Sequence, residues 1–323
     1  MKMLPFFFLL ASALSTAWSS EKIQLTWIYR DVPSLPQLER VVAEWKQKTA
    51  LQIRIFPVVI PLSLRWEQEL PRLTSGLQKM EWIFPNLPSS SHLPLLRRLL
   101  ASSVELGFQH SDPFRASEVE RLQALGMNDV LLVSSTYPQS PSEVSALLAL
   151  SIPFRLSYSV GRFPDYFETF SWRGLRREIP MTFRVSSWPE YIAMDHLNLI
   201  PQGPKHLEVR DLDFDPALLP YLQNIRDLRL LHFSSNGATT SRFWKSLEAM
   251  PDSVRFRYTA RDRTPTQQEV ESFFHSCFNR ACTLVVEESR PPTEQELQRL
   301  NTSLTPLETQ NTRKIEWIVS QDD

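Results

Sequence analysis

The chain has 323 residues, 42% hydrophobic and 22% charged, with a formal net charge of -1. That balance gives no bulk field for nucleic acid or an anionic membrane, and it supplies enough apolar side chains for a large folded core. Glycine is scarce at 7 and proline abundant at 25, so few positions can take a positive φ or press backbone against a phosphate.

Lys2 precedes an apolar run from Leu4 to Leu14, and Ser15, Ala17, Ser19 and Ser20 offer small side chains for cleavage. The run is well short of the roughly 20 apolar residues a membrane-spanning helix needs. Residues 1–19 therefore read as a secretory signal peptide. Residues 20–323 read as the mature repeated domain, periplasmic or secreted, without a membrane span and with a sub-boundary near 200.

From there on, short apolar segments recur, most of them alternating apolar and polar residues, while Val130–Val133 is continuous and apolar. They are Ile23–Trp27, Leu51–Ile55, Trp82–Phe84, Val104–Phe108, Val130–Val133, Phe154–Tyr158, Met181–Val185, Leu207–Val209, Leu228–Leu230, Val254–Tyr258, Leu284–Val286 and Ile315–Trp317. Alternation predicts half-buried strands. Their spacing of roughly 22 to 32 residues lies in the range of stacked repeat units.

Helix starts fall between them. Ser140-Pro141-Ser142-Glu143 combines a capping serine, a proline at the first helical position and a glutamate at the third, and Thr264-Pro265-Thr266-Gln267 reads the same way. Asp215-Pro216 supplies a cap and a proline, and Thr293 with Glu296 supplies a capping box. Leu38, Val41, Val42 and Trp45 then show helical spacing, and Gly126 stands where a helix end wants it.

A repeated strand–helix unit implies an α/β fold with a parallel sheet. The expected form is an open curved solenoid; the alternative is a (β/α)8 barrel followed by additional units. The solenoid leads because the strands alternate, whereas a sheet covered on both faces should be continuously apolar. One strand face carries a charge in most units. Arg155, Arg184, Arg210, Arg229, Arg255, Arg257, Glu105 and Glu208 are accordingly the candidate ligand-binding residues on a wetted concave face.

At Leu207-Glu-Val209-Arg-Asp-Leu212 and Leu228-Arg-Leu230-Leu-His-Phe233 the chain resembles the leucine-rich-repeat family, which implies a curved parallel sheet of the solenoid kind. Tyr29-Arg30-Asp31-Val32-Pro33, Val58-Val59-Ile60-Pro61 and Val104 to His110 together look like the start of the polysaccharide deacetylase superfamily. That resemblance implies a metal-dependent barrel with an aspartate after the first strand and a later histidine pair. Here the paired aspartates fall on Arg30 and Asp31, and the histidine pair on Gln109 and Pro113. It therefore implies an inactive relative, with Asp31 and His110 as the alternative catalytic candidates.

Cys277 and Cys282 form the one cysteine pair. In an exported protein they are expected to close a short structural disulfide. No phosphate-binding glycine loop, nucleophile elbow or paired zinc-ligand motif occurs, so neither a cofactor nor a metal is called for. Trp172 and Trp188, near Arg173, Arg176 and Arg177, are the candidates for exposed aromatics beside positive charge. The expected function is an exported non-catalytic binding or scaffold protein that presents its polar strand face to a protein or a polysaccharide. The alternative is an exported carbohydrate-active hydrolase, or an inactive relative, on a barrel.

Overall fold

A computed structural model describes residues 23–57, 64–110, 116–173, 177–188, 191–200, 203–210, 216–277, 280–304 and 313–321. The segment read as a signal peptide lies outside them. Each alternating segment is a strand: β1 Ile23–Tyr29, β2 Ala50–Ile55, β3 Lys79–Phe84, β4 Val104–His110, β5 Val130–Ser134, β6 Phe154–Gly161, β7 Met181–Val185, β8 Lys205–Val209, β9 Leu228–Ser235, β10 Arg255–Arg261, β11 Cys282–Glu288 and β12 Arg313–Gln321. Between them run α1 Leu35–Trp45, α2 Leu64–Thr74, α3 Leu93–Ala101, α4 Ala116–Ala124, α5 Pro141–Leu148, α6 Tyr166–Phe170, α7 Tyr191–His196, α8 Leu219–Asn224, α9 Ser241–Ser246, α10 Gln267–His275 and α11 Glu294–Leu304.

All twelve strands are parallel, and each pairs with its neighbours in chain order. The expected open edge does not exist. β1 pairs with β12 over seven residues, from Ile23 opposite Ile315 to Tyr29 opposite Gln321, so the sheet closes into one barrel. Nor is it an eight-stranded barrel with appended units, because every strand belongs to the ring. Closure removes the unpaired backbone that the two terminal strands of a solenoid would expose.

The interior of an eight-stranded barrel is just wide enough to be filled by side chains. Followed once round this ring, the register climbs by about twelve residues, so shear equals strand number as in the eight-stranded (β/α) barrel. Tilt is then similar, and width grows with strand number to about one and a half times. Such an interior has room for long polar side chains, and they occupy its middle: Thr26, Glu81, Thr259 and Glu316 face the lumen and are buried there. The expectation of a solenoid failed at this point. Charged strand faces argue against a narrow barrel, but they suit a wide one.

The apolar strand face looks outward and the helices cover it. Leu25, Trp27 and Tyr29 of β1 and Ile53 and Ile55 of β2 are buried in one core with Leu38, Val42 and Trp45 of α1. The same pairing of apolar strand face and helix stripe recurs round the ring, giving an annular core between sheet and helices. Burial of each large side chain there contributes about 1.5–3 kcal/mol.

Two sets of polar contacts lock each unit to the next. At the N-terminal end of the barrel, Arg97 donates to the Ala124 carbonyl, Gln123 to Ala149, Asn198 to Asn224 and Gln223 to Ala249. Each link spans 26 or 27 residues, the length of one unit, and each satisfies a carbonyl at the end of a helix. At the other end, the capping glutamates do the same work. Ser140 stands at the N-cap position of α5 with Pro141 at its first position, as expected. Its side chain makes no capping bond to the backbone, and Glu143 accepts the Gln139 backbone N–H instead. Helix α10 starts two residues later than expected: Thr266 is its cap, paired with Glu269, and Pro265 precedes it. The same order of arginine, proline, cap and glutamate occurs at Arg162, Pro164, Asp165 and Glu168, at Arg263, Pro265, Thr266 and Glu269, and at Arg290, Pro292, Thr293 and Glu296.

Gly126 ends α4 at φ 69°, as its position suggested. The Cys277–Cys282 disulfide is formed and ties the end of α10 to the start of β11.

Candidate functional site

The polar face of every strand forms the wall of the lumen. Its centre is a belt of ion pairs between neighbouring strands. Arg54 Nε lies 2.6 Å from Glu81, and Lys79 bridges Glu81 and Glu105 at 3.6 and 2.8 Å. Arg155 reaches Asp129 at 2.8 Å and Glu105 at 4.0 Å. Arg184 binds Glu208 at 2.9 Å, and His232 stands between Glu208 Oε2 at 3.6 Å and Thr259 Oγ1 at 2.7 Å. Arg257 passes over β11 to bind Glu316 at 2.6 Å, and Glu316 also accepts from the Thr26 hydroxyl at 2.8 Å. This last contact lies across the seam where the ring closes.

Within the belt, basic neighbours hold the carboxylates in their charged form. Burial pushes the Glu208 carboxyl up, but His232 and Arg184 outweigh it and hold the group well below the usual carboxylate range. Burial likewise raises Glu316, and Arg257 together with the Thr26 hydroxyl brings it below its ordinary value. His232 goes the other way: burial lowers it against the pull of Glu208.

His206, one turn of the alternation below Glu208, adds a measurable pH dependence. Burial, then the nearby Arg255 guanidinium, push its imidazole from 6.5 down to about 4. The folded chain therefore binds fewer protons than the unfolded one between those values. The stability tied to a neutral His206 is complete above about pH 6.5 and is lost as the pH falls towards 4. His206→Asn should flatten the stability profile across that window in denaturant titrations at pH 7 and 4.5. An unchanged slope would contradict this account.

The structure distributes the candidate ligand-binding residues unevenly. Arg155, Arg184, Arg257, Glu105 and Glu208 do share the lumen wall, but their charges face partners on neighbouring strands. Arg229 and Arg255 are exposed at the N-terminal end of their strands, and Arg210 is exposed just after β8. The expected single concave surface is thus split between the two mouths and the belt. Asp31 is exposed beyond β1, where its Oδ1 accepts the Val32 backbone N–H at 2.7 Å. His110 ends β4, three strand steps round the ring from β1 and so about 14 Å along the wall. The His110 side chain, like Asp112, Asp211 and Asp213, lies outside the described residues.

Trp172 is fully buried and Trp188 packs partly buried against the core, contrary to expectation. The large exposed aromatics among the described residues are Tyr166, Phe167 and Phe170 on α6. Among the described residues, no group of three or more His, Cys, Asp or Glu side chains is placed to hold a metal ion. No described helix is long and apolar enough to cross a membrane.

Above and below the belt the lumen opens into two cavities. The upper one, at the C-terminal ends of the strands, is about 500 Å³. Ile28, Phe56, Pro57, Ile83 and Pro85 give it apolar walls, and Arg30, Gln109, Glu287 and Ser320 bring polar groups to its margin. Glu287 is steadied by Arg261 at 3.4 Å. The lower cavity, at the N-terminal ends, is about 290 Å³ and much more polar. Neither was legible in the sequence. Both are made of residues from the first and last units, which meet only because the ring closes.

No protein-family model matches the chain, and no curated protein does. Two solved structures align along most of it. One is a D-isomer specific 2-hydroxyacid dehydrogenase from Lactobacillus delbrueckii ssp. bulgaricus in its NAD-complexed form, 11% identical over 90% of this chain and 89% of that one, with a TM-score of 0.23. The other is a putative D-3-phosphoglycerate dehydrogenase from Ralstonia solanacearum, 10% identical over 91% and 86%, also with a TM-score of 0.23. At those scores the alignments carry no argument about fold or function.

Proposed function

We propose that the protein is a binding protein that takes up the end of a polysaccharide, or a short oligosaccharide, in the upper mouth of its lumen. The observation that carries this reading is the composition of that cavity. Its apolar walls at Ile28, Phe56 and Ile83 suit the C–H faces of a sugar ring, and Gln109, Glu287 and Ser320 suit its hydroxyls. Its place at the C-terminal ends of parallel strands, where (β/α) barrels carry their ligand sites, supports the same reading.

A protein partner is less well supported, because the polar strand face lies inside a closed ring rather than on an open surface. Binding is favoured over hydrolysis on chemical grounds. Glycoside cleavage ordinarily needs two carboxyl groups flanking one bond, and Glu287 is the one carboxylate among the described lining residues. An exported location fits this role. It is supported by the apolar leader, and by a disulfide of the kind an oxidising compartment permits.

Ile83→Trp places an indole in the cavity and should weaken oligosaccharide binding by at least tenfold in calorimetric titration of the folded variant, with a modest fall in thermal midpoint because Ile83 is largely buried. Undiminished affinity in this variant, or no saturable binding of any neutral oligosaccharide to the parent chain, would remove the proposal. Release of reducing sugar, abolished by Glu287→Gln, would replace it with the hydrolase reading.

A further inference from the structure

We infer that the opposite, N-terminal mouth of the lumen is a second and independent site, one that binds a small oxyanion. The group it recognises is a carboxylate or a phosphate, on a molecule about the size of a monosaccharide acid. The lower cavity is lined by Arg54, Arg257 and Lys314, by the amides of Gln24, Gln52 and Gln78, and by Thr283 and Glu316. Arg54 and Arg257 also serve the belt, but Lys314 and the three glutamine amides pair with none of its carboxylates among the described residues and line the cavity.

The charges do not cancel locally. Arg54 commits its Nε to Glu81, and Arg257 commits its Nη2 to Glu316. The remaining guanidinium nitrogens of both are free to serve a ligand. Lys314 has no carboxylate within ion-pairing distance among the described residues, and it stands exposed at the rim. Three cations therefore face two carboxylates, an excess of one positive charge inside a partly enclosed mouth. A single anionic group neutralises that excess, and enclosure by the barrel wall screens the attraction less than an open surface would.

The neutral groups complete the match. Gln24 Nε2 donates to Thr26 Oγ1 at 3.3 Å, and Gln52 Nε2 donates to Gln78 Oε1 at 3.1 Å. This orientation leaves the Gln78 amide nitrogen and the Gln24 carbonyl oxygen available to ligand hydroxyls. Two arginines at one mouth also favour oxyanion geometry over halide, because their planar forks present paired donors. The size of the cavity excludes a polymer and admits a small acid.

Calorimetric titration of the full chain at low ionic strength, with inorganic phosphate, D-glucuronate and D-glucose as separate probes, tests the inference. Saturable binding of at least one of the two anions is expected, and which of them binds identifies the headgroup. Glucose should give no signal at this mouth. Lys314→Gln should weaken anion binding at least tenfold while leaving the thermal midpoint unchanged, since the lysine makes no ion pair among the described residues. Ile83→Trp, at the other mouth, should leave anion binding intact, so failure here and failure of the saccharide site are distinguishable. Absence of saturable binding by both anions would overturn the inference. Equal anion affinity in the Lys314→Gln chain would overturn it as well.

Discussion

Replacing Glu269 by alanine should cost the fold about 3–5 kcal/mol, the range found when one partner of a buried charge pair is removed. The carboxylate is almost fully buried, and Arg263 grips both of its oxygens at 2.7 and 2.8 Å. It also accepts the backbone N–H of Thr266 at its own helix start, and the backbone N–H of Thr239 in the preceding unit. One side chain thus caps α10, anchors Arg263 against Tyr258 and Gly237, and ties two units together. Alanine leaves a half-buried guanidinium without its carboxylate and two backbone donors unsatisfied at once. The loss is read from the shift in urea midpoint at constant slope. A loss under about 1 kcal/mol would show that the unit-to-unit link does not bear on stability.

The same residue predicts an acid limb. Burial raises the Glu269 carboxyl, but Arg263 and the two backbone donors prevail and hold it at about 2. Glu296, bound by Arg290 and by Thr293, is also held at about 2. A depressed carboxyl contributes stability that is complete above its unfolded value near 4.3 and is lost as the pH falls towards 2. The Glu269→Ala chain should therefore be less stable at pH 7 but should lose less on going from pH 5 to 2.5.

The second large effect is expected at Gly203, the residue that turns the chain into β8. Its φ is +106°, and an added Cβ would meet the backbone of Ile179, 2.7 Å from the nitrogen and 2.9 Å from the carbonyl carbon. Backbone cannot rotate aside as a side chain can. Gly203→Ala should cost about 3–5 kcal/mol, combining a positive-φ penalty with the close approach. Gly126→Ala is the control. It shares a positive φ of +69°, but nothing lies within 4 Å of its added Cβ. It should show only the conformational part, about 1–2 kcal/mol. Equal losses in the two variants would mean that the approach to Ile179 relaxes without strain.

The twelve strands were legible one by one because each is a short apolar segment and most of them alternate. Met181 to Val185 has Met181, Phe183 and Val185 under the helices, with Thr182 and Arg184 on the lumen. Period-two burial is a local property, carried by neighbouring residues. The capping pairs at Thr293 and Glu296 were legible for the same reason. The proline at 265 misled because it precedes its cap instead of following it, and both placements satisfy the proline's missing N–H.

Closure was not local. Whether twelve strand–helix units curl into a solenoid or a ring depends on tilt and shear summed over the whole sheet, and no single unit contains that sum. The seam that decides it joins residues such as Thr26 and Glu316, 290 positions apart. The sequence by itself determined the repeat, the parallel order, the outward apolar face and the disulfide between Cys277 and Cys282. Only the tertiary structure decided that the charged face turns inward, that most of its charges face one another across neighbouring strands, and that a cavity remains at each mouth. The physical reason is width: a ring of twelve strands has room inside for long charged side chains, which an eight-stranded ring lacks. Its polar wall pairs with itself along the belt and stays open to ligands above and below.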